Sequence, residues 1–242
     1  MSERFFSSQP IASDHITLGG AEAHHLLHVM RATIGAQVTL FDDSGAEFTA
    51  VVDNLGRAEV ALRVVERRAV DRELPFPLAV GVALPKGDRQ KWLVEKLTEL
   101  GVATLVPLET ERGVAQPTEN ALERLRRAGI EAAKQCGRNR LMQIAKPQAW
   151  GEWNSNFGWL RSSASEPPGL RRLIAHPGGT PVSQIDFTSM LPTHIAVGPE
   201  GGLTDAEVAA AIATGWQAVD LGPRILRVET AAVALAAAIA LR

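Results

Sequence analysis

Strand-like apolar runs alternate with amphipathic segments from about residue 73 to the end of the chain. Strands are predicted at 78–84, 102–108, 143–146, 173–176, 194–197 and 218–221. Helices are predicted at 88–100, 120–135, 204–214 and 230–241. A repeated order of strand and then helix is typical of a mostly parallel sheet that is covered by helices. The pattern therefore predicts an α/β domain over residues 73–242.

The first 72 residues show a different pattern, in which short strands are joined by tight turns. Strands are predicted at 15–18, 37–41, 47–52 and 58–65, with one helix at 21–30. Polar residues at 42–45 and 54–56 mark the turns. Short strands with tight turns favour a compact β-barrel. The stretch DRELPFP (71–77) is polar and then rich in proline, so we place the boundary between the two domains after residue 72.

Composition places the chain among ordinary globular proteins. Hydrophobic residues make up 45% of the 242 positions, and the formal net charge of −2 does not by itself indicate a nucleic-acid-binding protein. No apolar run approaches the ~20 residues that cross a bilayer. The N-terminus lacks the features of a signal peptide, and one cysteine excludes an internal disulfide. These features predict a cytoplasmic protein without membrane contact.

Positive charge is concentrated in two stretches of this nearly neutral chain. Residues 121–140 contain six basic and two acidic side chains, and residues 63–72 contain four arginines and two acidic side chains. Each stretch is compatible with a surface for an anionic partner or with a solvated face of a helix or strand. The sequence leaves both interpretations open.

Three glycine-bearing loops follow predicted strands. They are HPGG (176–179), GPEGG (198–202) and GPRILRVE (222–229). Loops at the carboxyl ends of parallel strands meet at one sheet edge, where glycines let the backbone approach a ligand and helix N-termini offer free N–H groups. Thr204 and Glu207 have the spacing of a capping box for the helix after the second loop. We expect the three loops to enclose one ligand, although plain tight connections share this pattern.

Several common catalytic and ligand signatures are absent from the sequence. It contains no P-loop, no GxGxxG, no CxxC pair, no HExxH and no GxSxG. His24 and His28 are one helical turn apart, but no further ligand types recur nearby, so no metal site is predicted. We expect these histidines to pack or cap within the small domain. Cys136 is expected to be a small buried residue.

Five separated motifs resemble those of one enzyme family. IAVGPEGGLT followed by DAE, and LGPRILRVETAA before a helix, resemble the C-terminal signature of the SPOUT-class RNA methyltransferases. Together with HHLLHVMR, KGDRQKWLVEKLTELGV and AAKQCGR, they are most similar to the bacterial RsmE family, which methylates N3 of a uridine in 16S ribosomal RNA. Cys136 stands where serine is common in that family. The resemblance extends over nearly the whole chain.

The resemblance implies a SPOUT-type domain with a C-terminal trefoil knot, a PUA-like RNA-binding domain at 1–72 and a homodimer. It also implies S-adenosylmethionine as the cofactor, and 16S rRNA within the small ribosomal subunit as the partner. The expected cofactor-binding residues come from the three loops and the helix after them: Ala175, His176, Gly198, Pro199, Glu200, Gly201, Leu221, Gly222, Ile225, Leu226, Arg227, Thr230 and Ala231.

Methyl transfer to a ring nitrogen requires the methyl group in line with N3 and the loss of the N3 proton. Glu200 and Glu229 are the carboxylates in the expected cofactor loops, and nearby arginines would stabilise the negative charge that develops on uracil. The residues expected to be catalytic are Arg138, Arg227 and Glu229. Glu229 is equally compatible with a helix-start acid that interacts with the helix dipole. Arg224 and Arg227 are also compatible with phosphate or surface contacts.

The RNA-facing half of the site is expected to come from basic residues in both domains. These are Arg31, Lys86, Arg124, Arg127, Lys134 and Arg138. Two alternative functions remain: a SPOUT methyltransferase that acts on another RNA such as tRNA, and a non-catalytic RNA-binding or assembly module. The intact GPEGG and RILRVETA motifs argue against the second alternative, because a pure binding module does not need them.

Overall fold

The computed structural model describes residues 3–113, 117–155 and 169–241, and the chain divides into two compact units. The N-terminal unit comprises Met1–Glu73 and Ala133–Leu141. The second unit comprises Leu74–Ala132 and Met142–Arg242. The first division falls inside DRELPFP, whereas the inclusion of 133–141 in the N-terminal unit was not expected from the sequence. A long-range association of this kind leaves no periodic signal in the chain.

A five-stranded sheet forms the N-terminal unit. Its strands are β1 Arg4–Phe6, β2 His15–Gly19, β3 Gln37–Phe41, β4 Ala46–Leu55 and β5 Glu59–Ala69, in the order β1-β3-β4-β5-β2. Strand β1 pairs parallel with β3, and the remaining pairs are antiparallel. The sequence pattern missed β1, because three residues are too few to show an alternation. Four of its strands and both polar turns were predicted.

The helix predicted at 21–30 consists of two different turns. An α-helix, α1, covers Gly20–His24, and a π-helical turn covers His25–Val29. The rings of His24 and His28 lie 4.7 Å apart between centroids, and His25 packs 5.6 Å from the ring of Phe5. Among the described residues, no group of three or more metal-ligating side chains occurs. The histidines therefore lie against each other and against the apolar core of this unit.

A parallel sheet forms the second unit and confirms the predicted α/β class. Its strands are β6 Leu78–Val82, β7 Thr104–Glu109, β8 Gln143–Ile144, β9 Gln148–Ala149, β10 Arg171–Pro181, β11 Thr193–Val197 and β12 Gln217–Asp220. The order is β12-β10-β11-β6-β7-β8, with β9 also paired to β7. All residues of β6 and β11 are buried, as expected for central strands covered on both faces.

Helices cover both faces of this sheet. They are α2 Arg89–Glu99, α3 Glu119–Cys136, α4 Trp150–Ser155, α5 Asp205–Ala213 and α6 Val228–Ala240. Along β6, Leu78 and Val80 point into a core shared with α2 and α6, whereas Ala79 belongs to a core with the tryptophans of α4. None of the described helices is both long and apolar enough to cross a bilayer. Residues 156–168, where the sequence indicated a helix or loop of low regularity, lie outside the described residues.

The helices differ from the sequence predictions in two places. Helix α3 begins one residue before the predicted start at 120 and is capped by Thr118, whose Oγ1 accepts the N–H of Ala121 at 3.3 Å. Cys136 is only half-buried. The capping box of Thr204 and Glu207 at the start of α5 is confirmed.

A buried cluster of tryptophans surrounds His194 on β11. The imidazole is 1% exposed and stacks on Trp153 with 5.4 Å between ring centroids, and Trp216 lies 6.5 Å away. Burial lowers the pKa of His194 to about 3, and the charge of Arg172 adds to this effect. The imidazole is therefore neutral in the folded protein at physiological pH, because protonation would place an ion in an apolar environment.

Acidification should destabilise this unit through His194. Its pKa falls from an ordinary 6.5 to about 3 on folding, so the unfolded chain binds more protons between these values. The contribution of His194 to the free energy of unfolding is greatest above pH 6.5 and decreases as the pH falls toward 3. Between about pH 7 and pH 5 we expect this residue to lower the unfolding free energy by roughly 2 kcal/mol. Urea denaturation of the wild type and of a His194→Phe variant measures this difference, and equal pH slopes would contradict it.

Candidate active site

A cavity of about 310 Å³ lies at the carboxyl ends of the neighbouring strands β10, β11 and β12. The three glycine-bearing loops form its walls. Eight residues that were expected to bind the cofactor line it: Ala175, His176, Gly198, Leu221, Gly222, Ile225, Leu226 and Ala231. Five others do not line it: Pro199, Glu200, Gly201, Arg227 and Thr230. The structure thus brings the predicted motifs together around one open cavity.

The loop after β11 turns tightly over the side chain of Leu203. A Cβ at Gly198 would lie 2.7 Å from Leu203 Cγ and 3.1 Å from its backbone nitrogen. Gly202 has a φ of +70° and donates its N–H to the carbonyl of Pro199 at 2.8 Å. Leu203 itself lines the cavity. Because Gly198 has no side chain, Leu203 can pack directly against its backbone and line the cavity.

The HPGG motif lies within an irregular extension of β10 and is not a separate loop. The pairing of β10 with β12 shifts in register between Ala175 and Thr180. A Cβ at Gly179 would lie 2.5 Å from the backbone carbon of Ala218, so the two backbones approach too closely for any side chain. Strand β10 resumes its pairing beyond this bulge. The bulge allows His176 to face the cavity while the strand continues.

The carboxylate of Asp220 joins the HPGG bulge of β10 to the loop after β12. Its Oδ2 accepts the N–H of Gly178 at 3.0 Å, and its Oδ1 accepts the N–H of Gly222 at 2.7 Å. The hydrogen bonds from Gly222 and Gly178 lower the pKa of Asp220 below its ordinary value. The sequence interpretation missed this residue. Its signal was an aspartate two residues before a glycine at a strand end, which is the spacing of an Asx turn.

The third loop gives the cavity a mostly apolar wall. Leu221, Ile225 and Leu226 contribute side chains to it, and Ile225 is fully exposed to solvent. Gly222 has a φ of +106°, a conformation that favours glycine. Apolar walls combined with a few polar groups and accessible backbone are typical of small-molecule sites. The cavity therefore has the chemistry of a cofactor pocket.

A guanidinium that the sequence interpretation missed holds two carboxylates beside this cavity. Arg89, the first residue of α2, donates from Nη1 to Glu229 at 3.4 Å and from Nη2 to Glu200 at 3.3 Å. Glu229 lies in the first turn of α6 and is 6% exposed, and Glu200 lies in the loop after β11. Arg89 thus connects α2, this loop and α6. Arg89 belongs to the KGDRQKW motif, and this motif was the sequence feature that could have identified it as a site residue.

The three residues predicted to be catalytic have different environments. Arg227 is the N-cap residue of α6, its side chain is exposed, and it makes no ion pair with the described residues. Glu229 lies two residues further along the same helix start. Arg138 belongs to the N-terminal unit, is 3% exposed and donates from Nε and Nη2 to both oxygens of Glu73. The structure therefore places only Arg227 and Glu229 at one helix start.

The residues predicted to contact RNA divide into exposed and engaged side chains. The exposed ones are Arg31, Lys86, Arg124 and Arg127, of which Arg31 has a left-handed backbone with φ +53°. Lys134 is largely buried, donates to Glu22 at 3.0 and 3.2 Å, and lies 5.7 Å from the centre of the Phe5 ring. Arg138 is engaged by Glu73. Lys134 and Arg138 thus stabilise the N-terminal unit.

Comparison with protein families and solved structures gives a consistent result. Residues 72–240 match the model of an RNA methyltransferase domain, and residues 18–65 match that of an RNA methyltransferase PUA domain. Ribosomal RNA small subunit methyltransferase E of Synechocystis sp. is 37% identical over 91% of this chain and 71% of its own length. The protein of the same name from Bacillus subtilis is 32% identical over 89% of this chain and 85% of its own length.

A solved structure extends the similarity to three dimensions. Ribosomal RNA small subunit methyltransferase E from Neisseria gonorrhoeae, bound to S-adenosyl methionine, is 28% identical and superposes with a TM-score of 0.87. The alignment covers 99% of this chain and 97% of that one. The similarity therefore includes both the sheet that carries the cavity and the N-terminal unit.

The close approach of Gly198 to Leu203 can be tested by adding one methyl group. We expect Gly198→Ala to destabilise the protein by about 1–3 kcal/mol, because the new Cβ meets backbone as well as side-chain atoms. Gly151→Ala is the matched control, since no atom of residues 3–113, 117–155 or 169–241 lies within 4 Å of its added Cβ and it sits in α4. Denaturant unfolding should show the control to be neutral or slightly stabilised. Equal stability of the two variants would refute the close-packing argument.

Proposed function

The chain belongs to the family of ribosomal RNA small subunit methyltransferase E, and we propose that it methylates N3 of a uridine in 16S ribosomal RNA with S-adenosylmethionine. The cavity enclosed by the motif-bearing loops is the observation that carries this proposal. The relatives are named as methyltransferases of small-subunit ribosomal RNA. The choice of a uridine, and of its N3 atom, as the target comes from the resemblance of the sequence motifs to the RsmE family. Because this substrate is ribosomal, we place the protein in the cytoplasm with the small ribosomal subunit as its partner.

The residues around the cavity fit S-adenosylmethionine, the ligand of the Neisseria relative. Apolar side chains suit a flat aromatic base, and the glycines let backbone N–H and carbonyl groups reach its polar edge. When bound, S-adenosylmethionine supplies an electrophilic methyl group. Pro199, Glu200 and Gly201 shape the second loop, and Arg227 and Thr230 mark the start of α6. The residues that would hold the cofactor directly are Ala175, His176, Gly198, Leu221, Gly222, Ile225, Leu226 and Ala231.

Methylation of N3 would form a carbon–nitrogen bond as the carbon–sulfur bond of the methyl donor breaks, which leaves a neutral thioether. The N3 proton leaves to solvent, and because it leaves ahead of the new bond, negative charge develops on the uracil. A cation near the ring lowers the energy of that state. Arg227 is suited to this role, because its exposed guanidinium stands at the start of α6 without an ion pair in the described part of the chain. We assign Arg227 to charge stabilisation at the substrate.

Glu229 has a different role in this proposal. Its carboxylate is buried and shares Arg89 with Glu200, so its negative charge is already compensated by a neighbour. The ion pair with Arg89 ties this carboxylate to the start of α2. We therefore assign Glu229 and Arg89 to positioning: together they hold α6 and the loop after β11 against the start of α2. Arg138 supports the N-terminal unit through Glu73 and is not assigned to the chemical step.

The exposed basic residues of the second unit are proposed to contact the RNA. Lys86 precedes α2, and Arg124 and Arg127 lie on α3. We also propose a homodimer and a C-terminal trefoil knot, both from the family resemblance. Helix α6 buries most of its apolar side chains within its own unit, while Ile225 stays fully exposed at the cavity. A partner subunit would cover such a side chain, and a solution mass near twice the 25.9 kDa of one chain would show the dimer.

Methyl transfer from labelled S-adenosylmethionine tests the proposed function directly. We expect label to enter the 16S rRNA of small ribosomal subunits, with nuclease digestion giving 3-methyluridine, and to leave tRNA unlabelled. Label in tRNA alone would favour the alternative RNA target. Absence of cofactor binding by calorimetry would favour a non-catalytic RNA-binding module. An Arg227→Ala variant should retain the cofactor affinity and lose turnover by roughly a hundredfold, as is typical when one charge-stabilising group is removed.

The positioning role of Glu229 and Arg89 predicts non-additive effects. We expect Glu229→Gln and Arg89→Gln each to weaken cofactor binding and to lower turnover. The double variant should lose no more than the more impaired of the two single variants, because both substitutions break the same ion pair. Glu99→Ala, which removes an exposed ion pair on the same helix, is the control. If Glu229 instead accepts the N3 proton, Glu229→Gln alone will lose turnover by about a hundredfold or more with unchanged cofactor affinity.

A further inference from the structure

A groove of about 530 Å³ in the N-terminal unit carries an excess of arginine. It runs along the ends of β4 and β5 and the segment after α3. Its lining includes two carboxylates, Asp71 and Glu73, of which Glu73 is engaged by Arg138. The basic residues that line it are Arg67, Arg68, Arg72 and Arg140. The groove therefore differs from the cofactor cavity, which lies in the other unit and is mostly apolar.

One buried carboxylate organises the arginines at this groove. Glu47, 6% exposed on β4, accepts from Arg4 at 2.6 Å and from Arg72 at 3.0 Å, and Arg68 lies 3.5 Å away. Burial raises the pKa of Glu47, but the hydrogen bonds from Arg4 and Arg72 lower it by more, so the carboxylate stays ionised. Three guanidinium groups thus surround one negative charge. Even with Glu66 at 3.6 Å from Arg68, a net positive charge remains.

Arg140 adds a further cation to the groove. It makes no ion pair with the described residues, and its guanidinium crosses the β3–β4 turn at Gly45, where a Cβ would lie 2.9 Å from Nη2. The segment around it is fixed by two bonds. Leu141 donates its N–H to Asp43 at 2.7 Å, and Asn139 Nδ2 donates to the carbonyl of Val70 at 3.1 Å. The position of Arg140 is therefore set before any ligand binds.

The other arginines of the groove differ in how far they are engaged. Arg67 donates to the carbonyls of Ile11 and Ser13 and lies 5.3 Å from the centre of the Phe48 ring, so its role is structural. Arg68 is 53% exposed and makes only long contacts of 3.5 and 3.6 Å. Arg68 and Arg140 are thus the groove cations with donors available to a ligand.

We propose that this groove binds the phosphodiester backbone of the RNA substrate, with Arg68 and Arg140 donating to phosphate oxygens. The guanidinium fork matches phosphate geometry and keeps its charge at every physiological pH. Several arginines spread along one groove suit a repeating anion better than a single small one. The proposal rests on the proposed function, because that function supplies an RNA substrate. It assigns the phosphate contacts of this unit to the groove and not to Lys134 or Arg138, which are already engaged.

Filter binding of 16S rRNA at several salt concentrations tests the groove. Each phosphate contact that is lost should lower the slope of log Kobs against log[salt] by about 0.7–0.9. We expect Arg68→Ala and Arg140→Ala each to show this change and to weaken binding several-fold, and Arg140→Lys to recover part of the affinity. Arg57→Ala is the matched control, because Arg57 is an exposed arginine at the opposite end of the β4–β5 hairpin, about 30 Å away by strand length.

The outcomes separate this proposal from the proposed function. Cofactor affinity of the groove variants should match the wild type, since Arg68 and Arg140 lie in the other unit from the cofactor cavity. If the wild type binds and methylates rRNA but both groove variants keep its affinity and salt slope, the groove proposal is overturned. It is also overturned if polyglutamate competes as well as RNA, because the groove would then fit an acidic protein. A wild type that neither binds nor methylates rRNA refutes the proposed function itself.

Discussion

The cofactor cavity depends on the carboxylate of Asp220. Parallel strands bring their carboxyl ends to one edge, but the loops that follow them are long and rich in glycine, so nothing in the sheet itself fixes their separation. Asp220, at the end of β12, accepts the N–H groups of Gly178 and Gly222 and so fixes the HPGG bulge of β10 relative to the loop after β12. The loop after β11 is positioned separately, by the contact between Gly198 and Leu203. The shape of the cavity thus follows from two local contacts on a generic sheet.

The same edge is connected to the helices through Arg89. The guanidinium contacts Glu200 in a loop and Glu229 in a helix, so α2, α6 and the loop after β11 meet at one cation. This arrangement explains why a carboxylate can remain buried at the start of α6, where the helix dipole also favours it. It also explains why Glu229 resembles a catalytic residue in the sequence. A buried acid beside a cofactor loop gives the same sequence signal whether it moves a proton or holds a helix.

The sequence was sufficient for the fold class, since buried strands and amphipathic helices have distinct periods. It was also sufficient for the loops after β11 and β12, because glycine after an apolar run marks a place where backbone must approach something closely. The HPGG segment, predicted as a loop, lies instead within the bulged strand β10. It was insufficient for residues whose partners are distant along the chain. Arg89 and Glu229 are 140 residues apart, and Arg138 and Glu73 are 65 apart. The basic stretch at 121–140 looked like one RNA-binding face, yet Lys134 and Arg138 are used inside the N-terminal unit. Local charge density does not reveal whether a cation is already paired.

The two units differ in the charge that their buried carboxylates leave over, and this difference suits their proposed ligands. In the N-terminal unit Glu47 is surrounded by three arginines, so positive charge is left over for a polyanion. In the second unit Arg89 pairs with both Glu229 and Glu200, and the cavity lining carries one acid and one guanidinium, Asp220 and Arg224. The charged side chains that line the cavity therefore balance, so apolar contacts and backbone groups are left to hold a small ligand there.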